Sequence, residues 1–296
     1  MSIDGPKSLE HALELLSRTP MPILAGGTDF FPALRDAAAP DKLLDVSRLQ
    51  ALRGIQRTAT GWRMGAATTW SEIIREPLPP VFNTLKEAAR EVGSVQIQNA
   101  GTLAGNLCNA SPAADGVPPL LTLNARVELA SVRGTRQLPL HEFILGPRLT
   151  ARSDDELLTA IHVPDIQNGA CSQFVKLGAR RYLVISIVMA SIVLVADEQG
   201  RLSDVRVAVG ACSAVARRLS RLEAVLQGQS LYADLQPLVN SSLFNELEPI
   251  DDVRGSADYR LQVVQQLVRR LLASGLHALA CTSADCTNDG HPEKAT

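Results

Sequence analysis

Cysteine is sparse in this chain and badly spaced for a scaffold or a cluster. Five stand among 296 residues, at 108, 171, 212, 281 and 286, an odd and scattered set that argues against a disulfide framework. Iron–sulfur ligation asks for about four thiolates at tight spacing, and no Cys or His pair completes a zinc set with Cys281 and Cys286. Charge of one sign is missing too. The formal net charge is -2, so nothing electrostatic favours nucleic acid or an anionic membrane. No basic segment leads an apolar core at the N-terminus. The longest apolar stretch, Tyr182 to Ala196, contains Ser186 and Ser191 and is too short to cross a bilayer. These absences place the chain in the cytoplasm by default. The five histidines, at 11, 141, 162, 277 and 291, are dispersed, and His11 reads as a surface residue. No nucleophile–base pair or pair of glycosidic carboxylates can be singled out, so acyl transfer, phosphoryl transfer and glycoside hydrolysis lose their support. A bound cofactor that supplies the chemistry, with the protein supplying binding and orientation, is the reading that remains.

Two glycine-bearing stretches are what the chain does have. A short apolar run from Pro22 to Ala25 predicts a buried strand, and it breaks into Gly26-Gly27-Thr28-Asp29. Adjacent glycines at a strand end open dihedrals closed to other residues and let backbone approach a ligand. Successive amides in such a turn can converge on an anion, with Thr28 adding a hydroxyl; the alternative is a plain turn. The second stretch, Gly101-Thr102-Leu103-Ala104-Gly105-Asn106-Leu107, repeats that chemistry and runs on to Ser111-Pro112-Ala113-Ala114-Asp115. Neither fits the dinucleotide G-x-G-x-x-G or the P-loop pattern. Two glycine loops without a lysine suggest a diphosphate held by backbone amides rather than a phosphoryl group in transfer.

Periodicity sketches the rest. Helices are predicted from Ser8, placed as an N-cap, to Leu16, over Phe30–Arg35, from Thr69, and over Val81–Val92. Strands are predicted at 43–46, 62–66, 126–130 and 156–163. Ser111 reads as an N-cap with proline following and Asp115 in the first turn, which is a ligand-free account of both residues. Asp165 to Ala170 is the best linker. Beyond it come three strands (172–177, 185–196, 202–209), with a hairpin signal at Asp197-Glu198-Gln199-Gly200, then helices at 219–226, 231–244 and 259–276. The fold class is therefore α+β. From Cys281 onward the chain is polar and expected to be disordered.

The sequence resembles the FAD-binding medium subunit of the molybdenum hydroxylases, relatives of xanthine dehydrogenase and aerobic carbon monoxide dehydrogenase. The matching residues are Ala25-Gly26-Gly27-Thr28-Asp29, Thr102 to Asn106, Ser111 to Asp115, Ile161-His162-Val163-Pro164, and Phe174 to Leu177 with Arg180-Arg181. They cover the chain from about Ser8 to about Leu276. The resemblance implies a two-lobed PCMH-type FAD-binding domain over 1–168, with lobes at about 1–52 and 53–168. It further implies a C-terminal flavoprotein domain of three strands and helices over 169–278, and a tail over 279–296. It places non-covalent FAD against Ile23, Leu24, Ala25, Gly26, Gly27, Thr28, Asp29 and Phe30, and against Thr102, Leu103, Ala104, Gly105, Asn106, Ser111, Asp115, Leu158 and Lys176. Leu158 otherwise reads as a core strand residue and Lys176 as a solvated lysine. Cys108 could tether a flavin but fits better as a small buried thiol.

The resemblance also implies partners: a small subunit with [2Fe–2S] clusters and a large subunit with a molybdopterin cofactor that oxidises the substrate. This chain would take electrons from the clusters and pass them to an external acceptor. Cys108 is the only cysteine from Gly101 to Ala170, so the additional cluster that some relatives carry there is not expected. Gly-Gly-Thr-Asp leans toward oxidisers of purines, N-heterocycles and aromatics. A self-sufficient flavin oxidoreductase of the same fold is the alternative.

Overall fold

The computed structural model describes residues 2–34, 38–181 and 183–288. It opens with a small α/β lobe: β1 (Ser2–Asp4), α1 (Leu9–Arg18), β2 (Ile23–Leu24), α2 (Phe30–Leu34) and β3 (Lys42–Asp45). β3 lies between β1 and β2 and pairs with each in parallel. Ser8 caps α1 as predicted, its Oγ accepting from the His11 amide at 3.2 Å. Ala12, Leu13 and Leu16 form the buried stripe of that helix. Arg35, the predicted end of α2, lies outside the described residues.

The second lobe contains β4 (Ile55–Thr58), β5 (Gly61–Gly65), α3 (Trp70–Arg75), α4 (Asn83–Glu91), α5 (Val95–Ala100), α6 (Leu103–Asn109) and α7 (Val117–Thr122). β6 (Arg126–Ser131), β7 (Gly134–Pro139), α8 (Leu140–Phe143), β8 (Ile144–Gly146), β9 (Leu149–Thr150) and β10 (Leu157–Pro164) follow. Five of these strands make an antiparallel sheet in the order β4-β5-β10-β6-β7. β10 comes last in sequence and sits at the centre, which accounts for its nearly continuous burial. A 3-10 turn at Pro80–Phe82 precedes α4, so the helix predicted from Val81 starts slightly later.

Residues 165–170 lead to β11 (Cys171–Leu177), β12 (Val188–Ala196), β13 (Leu202–Gly210), β14 (Arg217–Arg218), α9 (Ser220–Leu226) and α10 (Ala257–Asn288). The sheet is an antiparallel meander in the order β11-β12-β13-β14, one short strand more than the three predicted. The predicted hairpin is present: the Asp197 carboxylate accepts from the amides of Gln199 at 3.0 Å and Arg201 at 2.8 Å, and Gly200 takes a φ of +69°. β12 is buried on both faces. Its even-numbered Val188, Ala190, Ile192 and Leu194 share a core with α10, while Val193 and Val195 join the core of the first two lobes. α4 packs on β11, and α7 packs on β12 and β13.

Two predictions need correction here. Residues 231–244 are not one helix but two 3-10 turns, Gln236–Leu238 and Ser241–Phe244. Leu231, Leu235 and Val239 are buried at helical spacing, yet Pro237 removes a backbone donor. The Asn240 side chain then accepts from the Ser242 amide at 3.1 Å, which restarts the chain as a separate turn. The last helix, predicted to stop at Leu276, continues to Asn288, so the expected tail from 279 begins inside it. Residues 289–296 lie outside the described residues.

Candidate functional site

The glycine stretch after β2 is shaped by its neighbour as much as by any ligand. A Cβ added to Gly26 would lie 1.9 Å from the Ala100 carbonyl oxygen and 2.6 Å from its carbon, so no L side chain fits. Gly27 has a φ of +69°, the left-handed region that glycine adopts without strain. The Thr28 hydroxyl in turn lies 3.3 Å from where a Gly101 Cβ would stand. The two stretches therefore interlock, Gly26 and Thr28 against 100–101. Among the described residues, no protein group accepts from the backbone amides of Gly26, Gly27, Thr28 or Asp29. Four consecutive free donors at a strand end are the arrangement an anion can use.

The second stretch corrects the sequence reading, since it is a helix rather than a loop. Thr102 is the N-cap of α6, its Oγ1 accepting from the Gly105 amide at 3.0 Å. The Leu103 amide donates to Thr68 O at 2.9 Å and the Ala104 amide to Ala66 O at 3.1 Å. Of the amides expected to cradle a diphosphate from this side, those of Leu103 to Asn106 are thus taken by the protein. What α6 supplies is a wall: exposed Gly105, Ala104 and Asn106 line the cavity. Asn106 Oδ1 accepts from the Gly116 amide at 3.3 Å, which fixes the orientation of its side chain. Leu103 is fully buried in the core and does not line the cavity.

Ser111 does not cap a helix. Its Oγ accepts from the Ala113 amide at 3.2 Å in a tight turn, and α7 begins only at Val117, with Pro118 and Pro119 in its first turn. Asp115 consequently sits in the turn ahead of α7. Its Oδ2 accepts from Lys176 Nζ at 2.6 Å and its Oδ1 from the Ser186 hydroxyl at 2.5 Å. Lys176 also reaches Glu91 O at 3.2 Å. Both side chains of the pair are under one-tenth exposed, so Lys176 is not a solvated lysine. Burial pushes the Asp115 carboxyl above its ordinary value, with Lys176 and Ser186 opposing that rise. Leu158, buried on β10, does both things proposed for it: it belongs to the core and it lines the cavity.

Together these groups bound a cavity of about 1100 Å³ lined by 23–30, by 104–106, by 111–115, and by Thr102, Leu158, Lys176 and Ser186. That is just above the range of ordinary ligand pockets, roughly 300–1,000 Å³, and leaves room for a ligand of dinucleotide size. Several lining residues carried no sequence signal: Arg148, Arg152, Asp252, Arg254 and Arg260. Arg148 Nη1 pairs with Asp29 Oδ2 at 2.7 Å. Arg152 donates to the carbonyls of Ser153 and Glu156. Asp252 holds Arg254 at 2.8 Å and the buried Arg260 at 2.5 Å, and Arg260 also bonds Ala211 O at 2.9 Å. The Cys108 thiol lines the same space, and burial pushes it up to about 11, which leaves it inert as a nucleophile or tether. Among the described residues there is no His/Cys/Asp/Glu group able to hold a metal, and no helix long and apolar enough to cross a membrane.

Comparison with known proteins identifies the ligand class that this cavity serves. Residues 2–166 match the family model for the FAD binding domain in molybdopterin dehydrogenase, and residues 173–274 match that for the CO dehydrogenase flavoprotein C-terminal domain. The nicotine 6-hydroxylase medium subunit of Paenarthrobacter nicotinovorans is 32% identical, over 90% of this chain and 94% of the relative. The nicotinate dehydrogenase FAD-subunit of Eubacterium barkeri is also 32% identical, over 93% of this chain and 96% of its own length. Among solved structures, a carbon monoxide dehydrogenase chain from Hydrogenophaga pseudoflava superposes with a TM-score of 0.86 at 27% identity, covering 94% of this chain and 98% of that one. The free amides of Gly26 to Asp29 and a cavity of about 1100 Å³ fit FAD. The chain belongs to the FAD-binding medium subunits of the molybdenum hydroxylases and is a subunit of an oxidoreductase.

Proposed function

We propose that this chain is the electron-transfer subunit of a three-subunit hydroxylase, taking electrons from [2Fe–2S] clusters of a small partner and passing them to an external acceptor. The organic substrate is oxidised elsewhere, at a molybdopterin cofactor in a large partner subunit. One observation carries this reading. Every titratable side chain lining the cavity is already committed: Asp29 to Arg148, Asp115 to Lys176 and Ser186, Asp252 to Arg254 and Arg260, Arg152 to backbone carbonyls, while Cys108 is held protonated. A flavin enzyme that oxidises its own organic substrate needs a base or cation free to meet that substrate, and the alternative of a self-sufficient oxidoreductase finds none in the lining apart from the exposed Asp29–Arg148 pair at the cavity's edge.

FAD bound here would supply the storage of two electrons. The protein's part is placement. The amides of Gly26 to Asp29 would hold the diphosphate, with the α6 wall of Thr102, Ala104, Gly105 and Asn106 opposite. Ile23, Leu24, Ala25, Phe30, Ser111 and Leu158 would complete the lining, and Asp115 and Lys176 would present a fixed, dry pair of opposite charges. In such a low-dielectric setting, fixed charges act on a redox group more strongly than in water. The relatives named for nicotine and nicotinate favour an N-heterocyclic substrate for the complex, ahead of a purine or another aromatic.

Purification of the chain alone should give a flavin absorbance spectrum, and acid should release free FAD. Co-expressed with iron–sulfur and molybdopterin subunits, the flavin should bleach when an N-heterocycle is added under anaerobic conditions, whereas the isolated chain should not bleach. Turnover of an organic substrate by the isolated chain at an ordinary enzymatic rate, on the order of 1 per second or more, would replace this reading with the self-sufficient one.

A further inference from the structure

Arg148 belongs to neither glycine stretch, yet it pairs with the residue that ends the first one. Its Nη1 lies 2.7 Å from Asp29 Oδ2, joining positions 119 residues apart. The backbone prepares that reach. Arg148 sits in the tight turn between β8 and β9 with a φ of +59°, and its amide donates to Ala110 O at 2.9 Å, tying the turn to the end of α6. Asp29, on the other side, directly follows the free amides of Gly26 to Thr28 and precedes α2. Both residues line the cavity, and both side chains are more than half exposed, 58% and 53%. This pair thus lies at the solvent edge of the cavity, with one partner from each lobe. The Lys176–Asp115 pair is the opposite case, at 4% and 9% exposure, and holds structure rather than access. An ion pair at the surface contributes little to stability, but it can break and re-form without disturbing any core.

We propose that Asp29 and Arg148 form a clasp across the mouth of the cavity that slows the escape of the cofactor, a role that rests on the FAD reading above. The clasp has to open for FAD to leave and closes behind it once FAD is in. Its strength is the ion pair itself, so raised salt weakens it.

The rate of FAD release from the full-length chain, followed by the rise in free-flavin fluorescence after dilution, tests the clasp. Asp29→Arg and Arg148→Glu each set like charges against one another and should speed release about two- to five-fold. The double reversal, Asp29→Arg with Arg148→Glu, should return release to near the wild-type rate. Raised salt should speed release from the wild type and the double reversal while changing the single variants less. Asp29→Arg is the discriminating variant: if Arg148 merely attracts the diphosphate, a second cation at the rim should slow release, and that result would overturn the clasp. Unchanged rates in both single variants, or a double reversal as fast as Arg148→Glu alone, would overturn it as well. Apo-protein melting temperatures and the neutral pair Asp29→Asn and Arg148→Gln guard against a folding artefact. A wild-type chain that takes up no FAD at all would sink the cofactor reading itself, and the clasp with it.

Discussion

A methyl group on residue 26 would have to occupy the same space as the Ala100 carbonyl oxygen, 1.9 Å away. A methyl on residue 105 meets only the Thr102 hydroxyl, at 2.8 Å, on an exposed helix surface. The two glycines therefore do different work, although in sequence they look alike. Gly26→Ala should lower the melting temperature of the apo-protein and abolish flavin binding in the same step, because it separates the two stretches. Gly105→Val strains only the α6 cap, a loss of about 1 kcal/mol, and the side chain it adds projects into the cavity. It should leave the apo-protein folded while bound flavin per chain falls sharply. Flavin content and apo melting temperature, measured on both variants, check this. Normal flavin content in Gly105→Val would show that α6 does not touch the cofactor.

At the level of elements, the strand β10 is secured at its start by Glu156, whose carboxylate meets Arg136 of β7 in two contacts, at 2.6 and 2.8 Å. The Arg136 guanidinium holds this carboxyl below its ordinary value of 4.5, burial opposes that, and the Ser153 amide adds to the lowering. Because the folded chain binds this proton less readily than the unfolded one, the pair stabilises fully above that ordinary value, and the contribution disappears as pH falls through the lowered one. Glu156→Gln should cost about 1 kcal/mol at pH 7, a charged hydrogen-bonded pair discounted for the half-exposed Arg136. The deficit in melting temperature should shrink toward zero in acid; an equal deficit at pH 7 and pH 3 would assign it to packing instead. Much at this level was legible in the sequence. Ser8 and the Asp197–Gly200 turn could be read because local chemistry decides them: a hydroxyl meets a free amide, and a glycine accepts a positive φ. The segment 101–107 was misread as a loop because its glycines argue against a helix, whereas Thr102 caps one and the tertiary acceptors Thr68 O and Ala66 O hold its first amides. The two 3-10 turns between Gln236 and Phe244 were misread for the converse reason, a helical leucine spacing that Pro237 interrupts. Arg148, Arg254 and Arg260 could not be found at all. Each reaches the cavity through the fold, and Arg148 does so from a left-handed backbone that no sequence pattern marks.

Across the whole molecule, three hydroxyls stitch the two parts together. Ser191 on β12 bonds Thr84 of α4 and Thr122 of α7, each at 2.7 Å and each fully buried. Removing the middle member takes one bond from each of the other two hydroxyls, which keep Gln173 O at 3.1 Å and Pro119 O at 2.9 Å, so Ser191→Ala should destabilise the chain by about 1 kcal/mol. Ser191→Thr crowds the site but keeps a hydroxyl, so if the network matters it should restore part of the loss. Denaturant midpoints of the two variants decide this. The contacts that enclose the cavity have the same reach: Asp115 to Lys176 spans 61 positions and Asp29 to Arg148 spans 119, while Gly26 closes on Ala100. Such distant partners meet only after the loop-closure entropy of the intervening chain has been overcome. The hairpin at 197–200 and the capped helices can form early, but the cavity belongs to the last stages of folding. FAD thus has no site to enter while the chain is still collapsing. It should therefore be captured by a chain already folded, so that added flavin changes how many finished chains are loaded rather than how fast they fold, which refolding rates with and without FAD would check.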